Sequence, residues 1–268
     1  MRVAVYIGKN ETDLDCRLTN LLESLEKGGI QYNMVGSHEE ILENTDMLLS
    51  VGGDGTFLSA SKLVADSGLP VVGVNMGRLG FLSENRPEDV ANALLSGDYT
   101  IEDRALLCAN VVGEDQQFYA LNEVTVHRSG AAVMGVDVCL DGKWLPTYWA
   151  DGLIVSTSSG STAYSLSVGG PIVLPHSKVL LISPIAPHNL NIRPLVVPNS
   201  VEILLRAQSR DGNFVFTADN ITRELPVDTQ IHVSLAQFWL KRVRLNKSDF
   251  INALTEKLFW GEDVRNLK

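Results

Sequence analysis

Residues 50–57 read SVGGDGTF, where one carboxylate, Asp54, stands among three glycines at 52, 53 and 55. Glycines let the backbone adopt positive φ and approach a ligand closely. The N–H groups of such a turn, and of a helix that follows it, can donate to phosphate oxygens. A carboxylate beside phosphates is repelled unless it accepts a proton from an attacking hydroxyl or binds Mg²⁺. The stretch therefore favours phosphate chemistry, although a glycine turn capped by an aspartate explains it about as well.

Two further stretches carry polar residues that could face a phosphate or a nucleoside. Residues 75–84, NMGRLGFLSE, follow an apolar run and offer the guanidinium of Arg78. Residues 121–124, LNEV, set Asn122 beside Glu123. Neighbouring strand residues point to opposite faces, so this pair can meet one ligand only at a bulge or a strand end. On composition alone, both stretches are also compatible with an ordinary loop or surface.

The densest polar stretch is residues 150–172, ADGLIVSTSSGSTAYSLSVGGPI, in which seven of the nine positions 156–164 carry a hydroxyl group. Small hydroxyls where a strand passes into a helix form a wall of hydrogen-bond donors that a ligand can approach closely. Tyr164 could stack on a base, and Asp151 could accept hydrogen bonds from a ribose diol. A serine-rich loop with a helix cap explains one or two of these hydroxyls, but not seven.

The elements that must position these residues change character along the chain. Strand-like and helical periods alternate in the first hundred residues, over the ranges 3–7, 13–29, 46–51, 57–68, 70–74 and 87–97. That alternation predicts an α/β unit with a mainly parallel sheet. The runs that follow are short, β-rich and separated by Gly, Pro, Asn or Asp, which is typical of a β-sandwich. The tail, residues 250–263, returns to a helical period.

The predicted fold is thus a Rossmann-like α/β domain followed by an all-β sandwich domain, with a helix that returns at the C-terminal end. We expect residues 1–100 and 247–268 to form the α/β domain that carries GGDGT. Residues 101–246 form the β-rich domain.

Composition restricts the partners. The 268 residues carry 22 Lys and Arg against 32 Asp and Glu, a formal net charge of −10. Nucleic acid is therefore not expected as the main partner, because phosphate backbones require clustered cations. Three separated cysteines indicate neither a disulfide framework nor a zinc site. With no signal peptide and no apolar stretch of membrane-spanning length, we expect a soluble, cytoplasmic protein.

Taken together, these stretches resemble the NAD kinase family. The matching segments run in the family's order across almost the whole chain, and the hydroxyl-rich block separates NAD kinases from other kinases that share GGDGT. They are GGDGTFL (52–58), GVNMGRLGFL (73–82), LNEV (121–124), DGLIVSTSSGSTAYSLSVGGPI (151–172), SPIAPHNLNIRPLVV (183–197) and LTEKLFW (254–260).

The resemblance implies transfer of the γ-phosphoryl group of ATP to the 2′-hydroxyl of the adenosine ribose of NAD, giving NADP. It also implies Mg²⁺ carried largely by ATP and a homodimer or homotetramer built through the β domain. Asp54 matches the general base. The remaining positions match residues that contact the dinucleotide, and they are Gly53, Gly55, Asn122, Glu123, Asp151, Thr162, Ala163, Tyr164, Ser165, Leu166, Ser167, Ala186 and Asn220.

Two departures from the family pattern bear on this assignment. The hydroxyl-rich turn has Ser158 where the family usually has proline, and Asp219-Asn220 stands where many members have Asp-Gly-Gln. Asn220 would keep the amide on a shorter side chain. Two alternative functions stay open on the sequence: a lipid or diacylglycerol-type kinase that shares GGDGT, and a non-catalytic NAD-binding regulator.

Overall fold

A computed structural model describes residues 1–8, 16–77, 80–247 and 250–260. The chain divides into two compact units, Met1–Asp103 with Leu240–Lys268, and Arg104–Trp239. The strands in chain order are Arg2–Ile7 (β1), Gln31–Met34 (β2), Met47–Val51 (β3), Val71–Val74 (β4), Tyr99–Arg104 (β5), Leu107–Val111 (β6), Gln117–Ala120 (β7), Glu123–Arg128 (β8), Met134–Leu140 (β9), Lys143–Trp144 (β10), Tyr148–Ala150 (β11), Gly152–Thr157 (β12), Val179–Ile185 (β13), Leu195–Pro198 (β14), Ile203–Gln208 (β15), Asn213–Ala218 (β16), Ile221–Pro226 (β17), Gln230–Leu235 (β18) and Leu240–Leu245 (β19).

The α-helices are Cys16–Lys27 (α1), Asp54–Val64 (α2), Pro87–Ser96 (α3), Tyr164–Ser167 (α4) and Phe250–Leu258 (α5), and 3₁₀ turns cover His38–Glu40 and Ser159–Thr162. Local signals explain their limits. α3 begins at a proline followed by two acids and ends at Gly97 in the left-handed conformation, with φ 74°. Within the described ranges, no helix is long and apolar enough to cross a bilayer.

The first unit is an α/β layer structure. Its sheet has the strand order β2-β1-β3-β4-β19-β5. Pairing is parallel from β2 through β1, β3 and β4 to β19. An apolar core joins this sheet to α1 and α3, and α2 packs against β3 and β4. The strand order reverses direction at β1 and β3, and open α/β sheets bind ligands outside the carboxyl ends of the strands at such a switch point.

The second unit is an antiparallel sandwich. One sheet has the order β10-β9-β15-β18-β6-β7, with β11 paired to β9, and the other has the order β14-β13-β12-β8-β16-β17. Inward-facing residues of both sheets form one buried cluster, which includes Phe118, Phe214 and Phe216. Burial alternates along β15 and β16, as expected when one face packs on a core. The two-part fold class predicted from the sequence is thus confirmed, together with the C-terminal helix.

The boundary between the units differs from the predicted one at its C-terminal side. The sequence pattern predicts residues 101–246 as the β-rich domain, whereas Leu240–Lys268 cluster with the first unit. The reason is that β19 pairs with β4, with Arg242 opposite Val71, and so becomes a strand of the first sheet. A β-rich run gives no local sign of which sheet it will join.

Candidate active site

The glycine turn lies at the carboxyl end of β3, next to the switch point. Gly53 precedes α2 in an extended conformation, and Asp54 is the first helical residue, three positions before the start predicted from the sequence. A Cβ at Gly52 would lie 2.3 Å from the Thr56 hydroxyl oxygen, and one at Gly8 would lie 2.5 Å from it. By contrast, a Cβ at Gly53 or Gly55 would meet no atom within 4 Å. The turn is therefore packed on one side and open on the other, where a ligand could approach the backbone.

The carboxylate of Asp54 is held by a second turn of the same unit. Its Oδ2 accepts the N–H of Phe81 at 2.8 Å, and its Oδ1 accepts those of Leu82 at 3.0 Å and Ser83 at 2.8 Å. Ser83 also donates its hydroxyl to the Gly53 carbonyl at 3.2 Å. Three amide donors and the N-terminus of α2 all favour an anion here. The side chain is fixed in one orientation before any ligand arrives.

Gly80 is required by this arrangement. A Cβ at this position would lie 1.8 Å from Oδ1 of Asp54, closer than any non-bonded contact allows. Gly80 lies 26 positions after Asp54 in the sequence, and no local pattern predicts their contact. Arg78, singled out in the sequence analysis as a possible phosphate ligand, lies outside the described residues.

The second unit holds a matching arrangement around Asn122 and Glu123. The Asp219 carboxylate accepts the N–H groups of Leu121 at 2.8 Å, Asn122 at 3.0 Å and Glu123 at 3.1 Å. Asp219 itself has φ 48°, in the left-handed region that Asp tolerates better than most residues. Asn122 and Glu123 therefore lie at the end of a strand, where two neighbouring side chains can contact the same ligand. Asn220, the contact residue predicted from the sequence in this region, lies exposed in the turn after β16.

Glu123 is held largely out of water, at the start of β8. Burial first, and then the charge of Asp219, raise its pKa to about 8, although the Tyr164 N–H opposes both by donating to the carboxylate. Its Oε2 is buried and has no hydrogen-bond partner among the residues that the structure describes. At neutral pH, Glu123 is therefore mainly a neutral acid. Such an unpaired buried polar atom can be satisfied by a bound ligand.

The raised pKa predicts a measurable dependence of stability on pH. Folded Glu123, with a pKa of about 8, keeps a proton that the unfolded chain releases near its ordinary value of 4.5. The free energy of unfolding should consequently fall as pH rises between these values, by at most about 1.4 kcal/mol per pH unit from this group. Glu123→Gln removes the titration, so its stability relative to the wild type is expected to grow with pH. Urea unfolding of both proteins at several pH values measures this, and parallel pH curves would contradict it.

Tyr164 lies along one face of β8. Its backbone N–H bonds Glu123, and its ring stacks on His127 with centroids 5.6 Å apart and an angle of 15° between the rings. Glu123, Thr125 and His127 alternate with core valines and so share this face. We call Glu123, Thr125, His127 and Tyr164 the polar strip. Burial lowers the pKa of His127, which keeps the ring neutral beneath the tyrosine.

Asp151 and Ala186 lie at the other end of the same strands. Gly152 pairs with both His127 and Ile185, which places these two predicted residues near the far end of the polar strip. The Asp151 carboxylate forms an ion pair with Arg128, with 2.9 Å between Oδ1 and Nε. Four residues of strand separate this end from Glu123, about 13 Å. The strip is thus long enough for an extended ligand.

The hydroxyl-rich block differs from the expected wall of ligand donors. Several of its hydroxyls turn inward: Thr157 donates to the Leu121 carbonyl at 2.6 Å, Ser158 to the Pro175 carbonyl at 2.7 Å and Ser161 to the Ser158 carbonyl at 2.8 Å. These groups build the turn, because a buried backbone carbonyl needs a donor. Of the predicted contact residues, Ser165 is fully buried and shares a hydrogen bond of 3.0 Å with Ser183, while Tyr164 and Ser167 are exposed, and Thr162, Ala163 and Leu166 are half-buried.

Solved structures with the same architecture are nucleotide-phosphorylating enzymes. The crystal structure of yeast NADH kinase complexed with NADH matches 99% of this chain and 90% of its own, with a TM-score of 0.85 and 27% identity. That of an NAD kinase from Archaeoglobus fulgidus in complex with ATP matches 92% of this chain and 95% of its own, with a TM-score of 0.78 and 28% identity. The fold and the acid-bearing glycine turn therefore define a kinase of the nicotinamide dinucleotide class.

Sequence comparison makes the assignment specific. Residues 6–97 match the ATP-NAD kinase N-terminal domain, and residues 121–245 match the ATP-NAD kinase C-terminal domain. NAD kinase of Porphyromonas gingivalis is 43% identical, with 98% of this chain and 99% of the relative aligned. NAD kinase of Flavobacterium psychrophilum is 42% identical over 88% of this chain and 83% of the relative. The chain belongs to the NAD kinase family and is an enzyme that transfers a phosphoryl group to an alcohol, as the resemblance of its motifs had indicated.

Proposed function

We propose that this chain transfers the γ-phosphoryl group of ATP to the 2′-hydroxyl of the adenosine ribose of NAD, giving NADP. The observation that carries the proposal is the Asp54 carboxylate, oriented by three amides at an open glycine turn. Phosphoryl transfer depends mainly on positioning and charge neutralisation, because its transition state is loose. The comparisons with NAD kinases support it. They lend no support to a lipid kinase or to a non-catalytic regulator.

In this proposal, Asp54 accepts the proton of the attacking hydroxyl. A carboxylate can accept at about four lone-pair sites, two on each oxygen. Oδ1 accepts two N–H groups and Oδ2 one, among the described contacts, so Oδ2 retains room for one more donor. Because the amides hold the group still, a hydroxyl at that position would meet a pre-oriented base. Gly53 and Gly55, whose Cβ positions are open, would let the pyrophosphate approach the backbone.

The dinucleotide would be recognised by the second unit. The neutral Glu123 acid and its unpaired Oε2 suit an amide or hydroxyl partner, and Asn122 lies beside it on the turn ordered by Asp219. Tyr164 offers an exposed aromatic face. Asp151 offers a carboxylate for ribose hydroxyls, held by Arg128. The remaining predicted contacts would come from the backbone and small side chains of 162–167, from Ala186 and from Asn220.

Mg²⁺ would enter bound to the phosphates of ATP, where it neutralises charge during transfer. In the part of the chain that the structure describes, no three His, Cys, Asp or Glu side chains come together as a ligand set. The donor chemistry available at the turn, one carboxylate and many amides, suits phosphates better than a bare cation. A cytoplasmic location is compatible with three free cysteines.

We also propose a homodimer or homotetramer assembled through the β-rich unit. β14 is an edge strand of its sheet, and its residues Leu195 and Val196 are exposed. Nearby along the chain, Leu190 is 86% exposed. An exposed apolar edge of this kind is a surface on which another chain can pack. The mass of the protein in solution, measured by light scattering, tests the assembly.

A direct assay tests the activity. With NAD and Mg-ATP, the purified chain is expected to form NADP, read by an NADP-specific dehydrogenase. Diacylglycerol in place of NAD is expected to give no phosphorylated product. Phosphorylation of the lipid alone would establish the lipid kinase instead. Tight NAD binding by calorimetry, without any NADP, would establish the regulator. Polyphosphate and other nucleotides in place of ATP define the donor range.

A further inference from the structure

The turn that holds Asp54 is itself held by cations from distant parts of the first unit. The N–H groups of Phe81, Leu82 and Ser83 point at the Asp54 carboxylate. N–H and C=O groups of successive peptides in such a turn point in different directions, so the carbonyls need donors of their own. Two of those carbonyls accept from charged side chains.

The first cation is Lys257, on α5. Its ammonium donates to the Gly80 carbonyl and lies 4.4 Å from the centroid of the Phe81 ring. Burial lowers the pKa of Lys257, and the negative charges of Glu84 and Asp54 partly oppose that effect. A half-buried ammonium loses part of its hydration, and the hydrogen bond to a backbone carbonyl replaces part of what is lost.

The second cation is Arg242, on β19. Its Nη2 lies 2.7 Å from Oε1 of Glu84 and donates to the Leu82 carbonyl at 3.3 Å. Both partners of this ion pair are nearly buried, with side chains 5% and 11% exposed. Asn75 donates to the next carbonyl, that of Ser83, at 2.8 Å. The carbonyls of Gly80, Leu82 and Ser83 thus accept from side chains, while the amides of 81–83 donate to Asp54.

We propose that Lys257 and Arg242 are positioning residues for phosphoryl transfer, which act on Asp54 through the Gly80–Ser83 turn. Each cation donates to the carbonyl of a peptide group whose own N–H donates to the Asp54 carboxylate, and linked hydrogen bonds of this kind strengthen one another. Neither cation touches substrate in this scheme. The inference rests on the proposed role of Asp54 as the base, and it explains why a C-terminal helix far from GGDGT in sequence belongs to the same unit.

Lys257 gives the cleaner test, because removing Arg242 would leave Glu84 as a buried charge without its partner. Lys257→Met keeps the length and apolar stem but removes the charge. We expect kcat to fall about tenfold or more, because small misplacements of a catalytic group cost that much, while the KM for NAD changes less than about twofold. Lys257→Arg is expected to recover most of the lost kcat. Lys247→Met is the control, since that lysine is exposed and forms only a loose ion pair with Asp89, at 3.8 Å, within the described ranges.

A double-mutant cycle separates positioning from a general loss of structure. In an Asp54→Asn background, Lys257→Met is expected to change the residual kcat less than about twofold, because its effect passes through the carboxylate. Equal losses in both backgrounds, a change confined to KM, or wild-type kcat in Lys257→Met would each overturn the inference. If Lys257→Met fails to fold by circular dichroism, Lys257→Gln takes its place with the same expected direction and the same overturning outcomes. Failure of the proposed function is distinct, since the wild-type chain would then form no NADP.

Discussion

Asp54→Asn is expected to lower kcat for NADP formation by roughly 10²–10⁴-fold, the usual contribution of a general base. The amide cannot accept a proton from the ribose hydroxyl. Its –NH₂ group would also face at least one of the N–H donors of Phe81, Leu82 and Ser83, so the turn loses part of its anchor. NAD affinity, measured by calorimetry, is expected to stay close to that of the wild type.

The matched control is Asp66→Asn, an exposed aspartate just beyond the end of α2. It makes the same change of charge in the same unit, and its kcat is expected to equal the wild-type value. Normal turnover in Asp54→Asn would remove Asp54 from the base role. A loss of thermal stability without any loss of kcat would leave it as an organiser of the Gly80–Ser83 turn alone.

Gly160→Ala is expected to lower the free energy of unfolding by about 3 kcal/mol, the upper end of the usual cost of overpacking. A Cβ at Gly160 would lie 2.1 Å from the Asn122 carbonyl oxygen, 2.6 Å from its carbon and 2.8 Å from its Cα. These are backbone atoms, so no flexible side chain can move aside. The same turn is fixed by Thr157, whose N–H donates to that carbonyl at 2.9 Å.

Relief of this clash requires a shift of Asn122, so NAD binding is expected to weaken together with stability. Gly36→Ala is the control, because a Cβ there would meet only the Glu40 carboxylate oxygen at an ordinary 3.7 Å. Urea unfolding compares the two variants with the wild type. Equal stability of Gly160→Ala and Gly36→Ala would contradict this prediction, because it would show that the 157–160 turn accommodates a Cβ at position 160.

A common device underlies both predictions. In each unit, one aspartate accepts three consecutive backbone N–H groups: Asp54 those of 81–83, and Asp219 those of 121–123. A carboxylate bonded in this way fixes a loop much as a helix cap fixes a helix. In the first unit we propose that the acid is also the base. In the second it orders the neighbouring residues, and its charge helps to keep Glu123 protonated.

The sequence by itself determined the order and type of the main elements and the place of the glycine turn between a strand and a helix. Those features depend on local periodicity, end signals and backbone freedom, which a single chain displays directly. It also indicated the family, since six motifs stand in order. Asn122 and Glu123 were predicted as contact residues because their motif, LNEV, is one of the six.

Only the tertiary structure decided which groups act on one another. Phe81 to Ser83 reach Asp54 across 27 to 29 positions, Asp219 reaches 121–123 across 96 to 98, and Lys257 reaches Gly80 across 177. The assignment of β19 to the first sheet is of the same kind. Such contacts are set by strand order and register, which bring distant segments together without leaving a local pattern in either one.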